Sequence, residues 1–311
     1  MIPRAAWLAG GAAGLALVAG LAWLAWPRAR VLPPVPHAAS PHGSPPAPAG
    51  QPSAPAALFV PVLTPIVRAD AAAIAAAAAG AEPGIFQLAG HPRVFILDFP
   101  GLAEQAAAMN RVAALLEKAG APRDRVLSMP ELEQLIAASN TTAEEFYVGH
   151  NYLLADIRRF IDLARQGGQV LTQAEQRLAG MVEAIAAAAP GPEPVAVLTI
   201  PNLGPRMDAA TRAAVLGHEL GHGVYFTNSG YARHVHRLWH GSFTEAERAA
   251  FRRFLGSVGY DAQNEELMIN EMQAYLLFTR DARFFAPAMV DMAEARAEEL
   301  RAMMRQGLQE P

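Results

Sequence analysis

One stretch constrains this chain more than any other: Thr211-Arg212-Ala213-Ala214-Val215-Leu216-Gly217-His218-Glu219-Leu220-Gly221-His222-Gly223-Val224. Leu216, Leu220 and Val224 recur at helical spacing, and Asp208 stands where an N-cap belongs. Gly217, Gly221 and Gly223 nonetheless lie inside the run. Each costs a helix interior about 1 kcal/mol relative to Ala, so the sequence predicts a helix that a neighbouring backbone approaches closely. On such a helix His218 and His222 stack one turn apart, and two imidazole nitrogens can reach one ion without distorting the backbone. Glu219 is turned about 100° further round, which offsets it from that ion and suits it to act as a base on a bound water.

Catalytic zinc takes three protein ligands and keeps a fourth position open. The 311 residues contain no cysteine, so a transition metal here must be held by His, Asp or Glu. The metzincin pattern would require Gly at position 225 and His at 228; the chain has Tyr225 and Asn228, which excludes it. The one convincing downstream helix with acids inside it covers 264–278. Glu265 and Glu266 fall near its first turn, where the helix dipole favours acids, and read as capping. Glu271 sits mid-helix among apolar residues, where an unpaired carboxylate is expensive to bury, and is the expected third ligand. The competing reading is a buried helix with two ordinarily hydrogen-bonded histidines.

His218-Glu219-Leu220-Gly221-His222 followed by Asn270-Glu271-Met272-Gln273-Ala274 resembles the gluzincin branch of the zincin metallopeptidases. The resemblance covers little more than residues 195–280. It implies a two-lobed fold with the active-site helix along the cleft floor. It also implies Zn2+ held by His218, His222 and Glu271, and Glu219 as the general base that hydrolyses a peptide or protein substrate through metal-bound water. Many gluzincins place an Asp four residues after the glutamate ligand to orient a histidine; here that position is Tyr275. The acceptor for that histidine's second N–H is thereby left open. The separation of His222 from Glu271 is longer than in the compact members, so no subfamily follows. Candidates for stabilising the developing oxyanion are Tyr225, Tyr231, His234, His236, His240, Tyr260 and Tyr275, with His150 a weaker one.

Residues 5–26 carry no charge, lie between Arg4 and the pair Arg28 and Arg30, and have Trp7, Trp23 and Trp26 near their ends. That length and those interfacial rings predict a transmembrane anchor over 1–30. A cleaved signal sequence is the rival reading, and it lacks a small-x-small site. Residues 31–57 are a Pro/Ala-rich, semi-rigid tether, and 58–311 form the expected metallopeptidase domain, exported to the periplasm or another extracytoplasmic space. A net charge of −4 and a pI near 6.1 provide no cationic field, so nucleic acid is not an expected partner.

The expected fold class is α+β: a zincin-like, two-lobed domain, mainly helical with a small sheet. Strands are expected at 93–99 and 195–200, the latter as an edge available to an extended substrate. Helices are expected at 69–81, 102–119, 130–138, 142–166 and 172–188. The leading functional expectation is a zinc metalloendopeptidase. The alternative is a membrane-anchored, non-catalytic zincin-fold module for binding or assembly, for which Glu219 beside the ligand pair would have no use.

Overall fold

Short apolar runs build one five-stranded sheet, from β1 (Ile66–Ala69), β2 (Gly84–Leu88), β3 (Val94–Phe99), β4 (His150–Leu153) and β5 (Ala196–Pro201), in the order β1-β2-β3-β5-β4. The parallel pair β3 and β5 lies inside the sheet, in register from Val94 opposite Ala196 to Phe99 opposite Pro201. Every residue of both strands is buried, as continuous apolar runs require when both faces of a sheet are covered. The computed structural model describes residues 64–309 apart from 117, 119, 120 and 259. The expected anchor, the tether and residues 58–63 lie outside the described residues. Among the described residues no helix is long and apolar enough to cross a membrane.

Alternation along the strands sorts side chains to two faces. Phe95, Leu97, Phe99 and Val197 join a core with α2 (Leu102–Leu116), α4 (Leu154–Gln166) and α5 (Gln173–Ala188). Val94, Ile96, Leu198 and Ile200 face Leu216 and Leu220 of α6 (Ala209–Thr227) and Ile74 of the short α1 (Ala71–Ala75). The helix α3 (Met129–Ala138) completes the first layer, its start closed by a reciprocal Ser128–Glu131 capping box. On its other side α6 meets a helical lobe of α7 (Ser229–Gly241), α8 (Glu245–Ser257), α9 (Glu265–Gln273) and α10 (Glu294–Gln309). Trp239, Phe251, Met268, Tyr275 and Leu300 form that lobe's core, together with Val215 and Val224 of α6. The protein is thus α+β and mostly helical, with α6 between a small sheet and a helical layer.

Three expectations are corrected. Residues 142–166 are not one helix: the Thr142–Glu145 capping box starts only a 3-10 turn (Ala143–Glu145), and β4 follows before α4 begins. Pairing with β5 outweighs local helical preference there, helped by the buried contact of His150 Nδ1 with Thr199 Oγ1 at 2.7 Å. The alanine-rich stretch 69–81 is helical only over Ala71–Ala75; alanine has the propensity but gives a longer helix no apolar face to bury. Finally, β5 is not an edge strand. The sheet ends on that side with β4.

Candidate metal centre

Asp208 accepts the Thr211 N–H at 2.7 Å and caps α6, whose nineteen residues carry the motif into the interior. Backbone approaches closely at Gly217 and Gly221, as expected, whereas Gly223 is faced by side chains. A Cβ on Gly217 would stand 2.9 Å from the Phe278 carbonyl oxygen, and one on Gly221 would stand 2.8 Å from the Phe278 ring and 3.2 Å from Ala274 Cα. A Cβ on Gly223 would meet Val94 of the sheet at 2.9 Å. The helix is therefore pressed between β3 on one flank and the segment after α9 on another.

The helix α9, just before that segment, brings in the third residue. The Nε2 atoms of His218 and His222 lie 3.1 Å apart, and Glu271 Oε2 is 3.5 Å from the first and 3.6 Å from the second. All three side chains, and Glu219, have no exposed surface. Among the described residues this is the one group of three or more His, Asp or Glu side chains placed to hold a metal ion.

The far ring nitrogens decide how each imidazole presents itself. His222 Nδ1 is 3.0 Å from Asn270 Oδ1, an acceptor that also takes a hydrogen bond from Gln273 Nε2 at 3.1 Å. Gln273 in turn accepts from the Tyr231 hydroxyl at 3.0 Å, so an extended network holds the Asn270 amide with its oxygen towards His222. His218 Nδ1 is 3.0 Å from Thr279 Oγ1, whose own proton goes to the Ala274 carbonyl at 3.0 Å. Both Nδ1 atoms therefore carry the proton, and both Nε2 lone pairs face the Glu271 carboxylate. Burial keeps the rings neutral: it lowers His218 well below its ordinary 6.5, with His222 adding to the effect, and lowers His222 to about 4 against the opposing Asn270 hydrogen bond. Two lone pairs and a carboxylate oxygen converge with no proton between the two imidazole nitrogens, which is a donor set for a cation.

Glu219 is held separately. Its Oε2 accepts from Asn151 Nδ2 of β4 at 2.8 Å, while Oε1 makes no hydrogen bond. A Cβ at Gly149 would stand 2.5 Å from that Oε1, so the chain entering β4 leaves room for the carboxylate by having none. Burial pushes the Glu219 carboxyl up to about 8, against the hydrogen bond from Asn151.

The remaining candidates separate. Glu265 accepts from Trp239 Nε1 and Arg252, and Glu266 accepts from the Tyr225 hydroxyl at 2.6 Å and faces His236 at 3.0 Å. Glu265 is turned towards α7 and α8, and Glu266 towards α6 and α7. His234 contacts the Met303 carbonyl, Tyr231 belongs to the Gln273 network, and His240 lies beside His236. His150 is buried against Tyr147 and Tyr152 and pushed down to about 3 by that burial. Tyr260 and Tyr275 are bonded to each other and close enough to Glu271 and Glu219 for those carboxylates to raise both phenols, after burial as the main cause. Sequence reasoning passed over Asn151, Gln273 and Thr279 as partners of the cluster, and quoted Asn270 without giving it a task. Asn270 adjoins Glu271 and was legible from its place; Thr279 and Asn151 carry no spacing that marks them.

The fold and this cluster define an α+β protein with a buried N,N,O candidate metal centre. Compared with models of protein families, with curated protein sequences and with solved structures, the chain matches none.

Proposed function

We propose that this protein is a zinc-dependent metallohydrolase of the gluzincin kind, a peptidase, with His218, His222 and Glu271 as ligands of Zn2+ and Glu219 as general base. One observation carries the reading: the three ligand atoms are spaced 3.1, 3.5 and 3.6 Å apart. A tetrahedral zinc with arms of about 2.0–2.1 Å spaces its ligand atoms by about 3.3–3.4 Å, so the set matches one face of such a tetrahedron. When bound, the ion supplies Lewis acidity and lowers the pKa of its water to about 7.

This chain's own residues then handle the protons. Glu219 Oε1 takes the proton of the attacking water while Asn151 holds Oε2 still. Glu219 then hands the proton to the leaving amine. Tyr260, whose phenol keeps its proton beside Glu271, is a candidate to donate to the carbonyl oxygen as negative charge develops there. An extended substrate would add beside β4, the marginal strand that carries Asn151, in place of β5. The position of α6 between the sheet and the helical layer is consistent with the two-lobed zincin arrangement. The apolar run 5–26 supports a membrane-anchored, exported, periplasmic setting for the domain.

A second reading, a membrane-anchored non-catalytic module, is favoured by the complete burial of all four site side chains. The two are separated by measuring bound zinc and the hydrolysis of unfolded protein and of a peptide library, for wild type and Glu219→Ala. The expected result is one zinc per chain in both and a loss of turnover of about 10²–10⁴-fold in the variant. Zinc with no turnover of any substrate supports the module; no zinc after reconstitution overturns the metal centre.

A further inference from the structure

We propose that Thr279 is the positioning residue for the His218 ligand, delivered by a π turn laid against the glycines of α6. The inference rests on the reading of His218, His222 and Glu271 as a metal centre.

A histidine ligand keeps its orientation and tautomer by donating its second N–H to an acceptor, commonly a carboxylate. Tyr275 offers His218 no carboxylate; its ring lies edge-on to the imidazole, 4.7 Å between centroids at 66°. The acceptor comes from four residues further on. Thr279 Oγ1 donates its only proton to the Ala274 carbonyl at 3.0 Å, so towards His218 Nδ1, also at 3.0 Å, it can only accept. The ring is thereby committed to Nδ1–H, with the Nε2 lone pair on the ligand side.

The backbone makes this reach available. After α9 the chain winds one π turn, Ala274–Phe278, and the Thr279 N–H closes it on the Ala274 carbonyl at 2.9 Å. In an unbroken α-helix that carbonyl would take the N–H of residue 278, and Thr279 would sit elsewhere on the helix surface. Arg301, almost fully buried, donates Nε to the Leu276 carbonyl at 2.8 Å and satisfies an oxygen within the irregular turn. Gly217 and Gly221 let the turn lie this close: side chains there would run into the Phe278 carbonyl, the Phe278 ring and Ala274 Cα. The glycines, the π turn and the threonine thus act as one device.

Its chemistry differs from a carboxylate's. A hydroxyl fixes the ring without adding negative charge, so the imidazole donates less electron density. Such a ring would hold an ion less tightly than a carboxylate-backed imidazole does and would leave it more electrophilic.

The test is a zinc titration of the metal-free full chain, in competition with a chromophoric chelator, for wild type, Thr279→Val, Thr279→Ser and Gly217→Ala. Valine keeps the shape and removes the acceptor, and is expected to weaken zinc binding about 10–100-fold. Serine is expected to return the affinity to near wild type, and Gly217→Ala to weaken it by displacing the turn. The visible absorption of the Co2+-substituted protein is expected to change with valine and not with serine. Equal affinity of valine and wild type, or equal loss in valine and serine, overturns the inference and leaves the metal centre standing. No zinc bound by wild type overturns both. Should the valine variant fail to fold, long-range 1H–15N NMR of metal-free wild type decides the matter: protonated Nδ1 on His218 is expected, and protonated Nε2 overturns the proposal.

Discussion

Arg212 and His218 stand six residues apart on α6, and neither has any exposed surface, yet their surroundings follow opposite logic. Around Arg212 everything closes. Its guanidinium makes five hydrogen bonds: two to the Asp98 carboxylate at 2.9 and 3.0 Å, and three to the carbonyls of Ile74, Ala75 and Pro201. A guanidinium has five N–H donors, so that site asks for nothing more. Around His218 acceptors accumulate: two imidazole lone pairs and a carboxylate oxygen within 3.6 Å. A buried cluster with matched donors and acceptors ties elements together, whereas imidazole lone pairs converging with a carboxylate oxygen form a donor set suited to a cation.

The largest effect expected from breaking this contrast lies at the closed site. Arg212→Leu leaves Asp98 buried without its partner and is expected to destabilise the fold by about 3–5 kcal/mol. Chemical denaturation should show the same loss with and without metal. Zinc is the matching probe of the open site: at a thousand times its dissociation constant it should stabilise the native state by about 4 kcal/mol, seen as a rise in melting temperature that a chelator reverses. In Glu271→Gln that rise should vanish.

The smallest effect is expected at a third, half-exposed cluster of Tyr225, His236 and Glu266, which links α6, α7 and α9. Glu266 raises His236 above its ordinary 6.5, chiefly through their hydrogen bond. The stability gained this way is fully present below pH 6.5 and lost as pH rises through the higher folded value. Glu266 is itself lowered from 4.5, chiefly by His236, so its share is present above pH 4.5 and lost on acidification. The pair should therefore contribute most between pH 4.5 and 6.5, by less than about 1 kcal/mol given its exposure. Comparing pH-dependent melting of wild type and His236→Ala checks this. A difference that grows above pH 7 would mean that the pair is not the cause.

Several parts of the molecule were legible residue by residue. The α6 helix and its Asp208 cap, the convergence of Glu271 on the two histidines and the close contacts at Gly217, Gly221 and Gly223 follow from spacing, burial cost and backbone sterics. The strand β4 was not legible. Its capping box and flanking helix formers spoke for a helix, and only pairing with β5 makes it extended. The exchange of edge strand from β5 to β4 follows from that same pairing.

By itself, then, the sequence determined what is local: two imidazoles one turn apart, a carboxylate offset beside them, and gaps on the helix where backbone can approach. Those follow from the repeat of a single helix and need no partner. Tertiary structure alone decided which groups hold these side chains in place. Thr279, Asn270 and Asn151 lie 61, 48 and 68 residues from the side chains they bond, and contacts at such range come from how elements pack, which no local periodicity encodes.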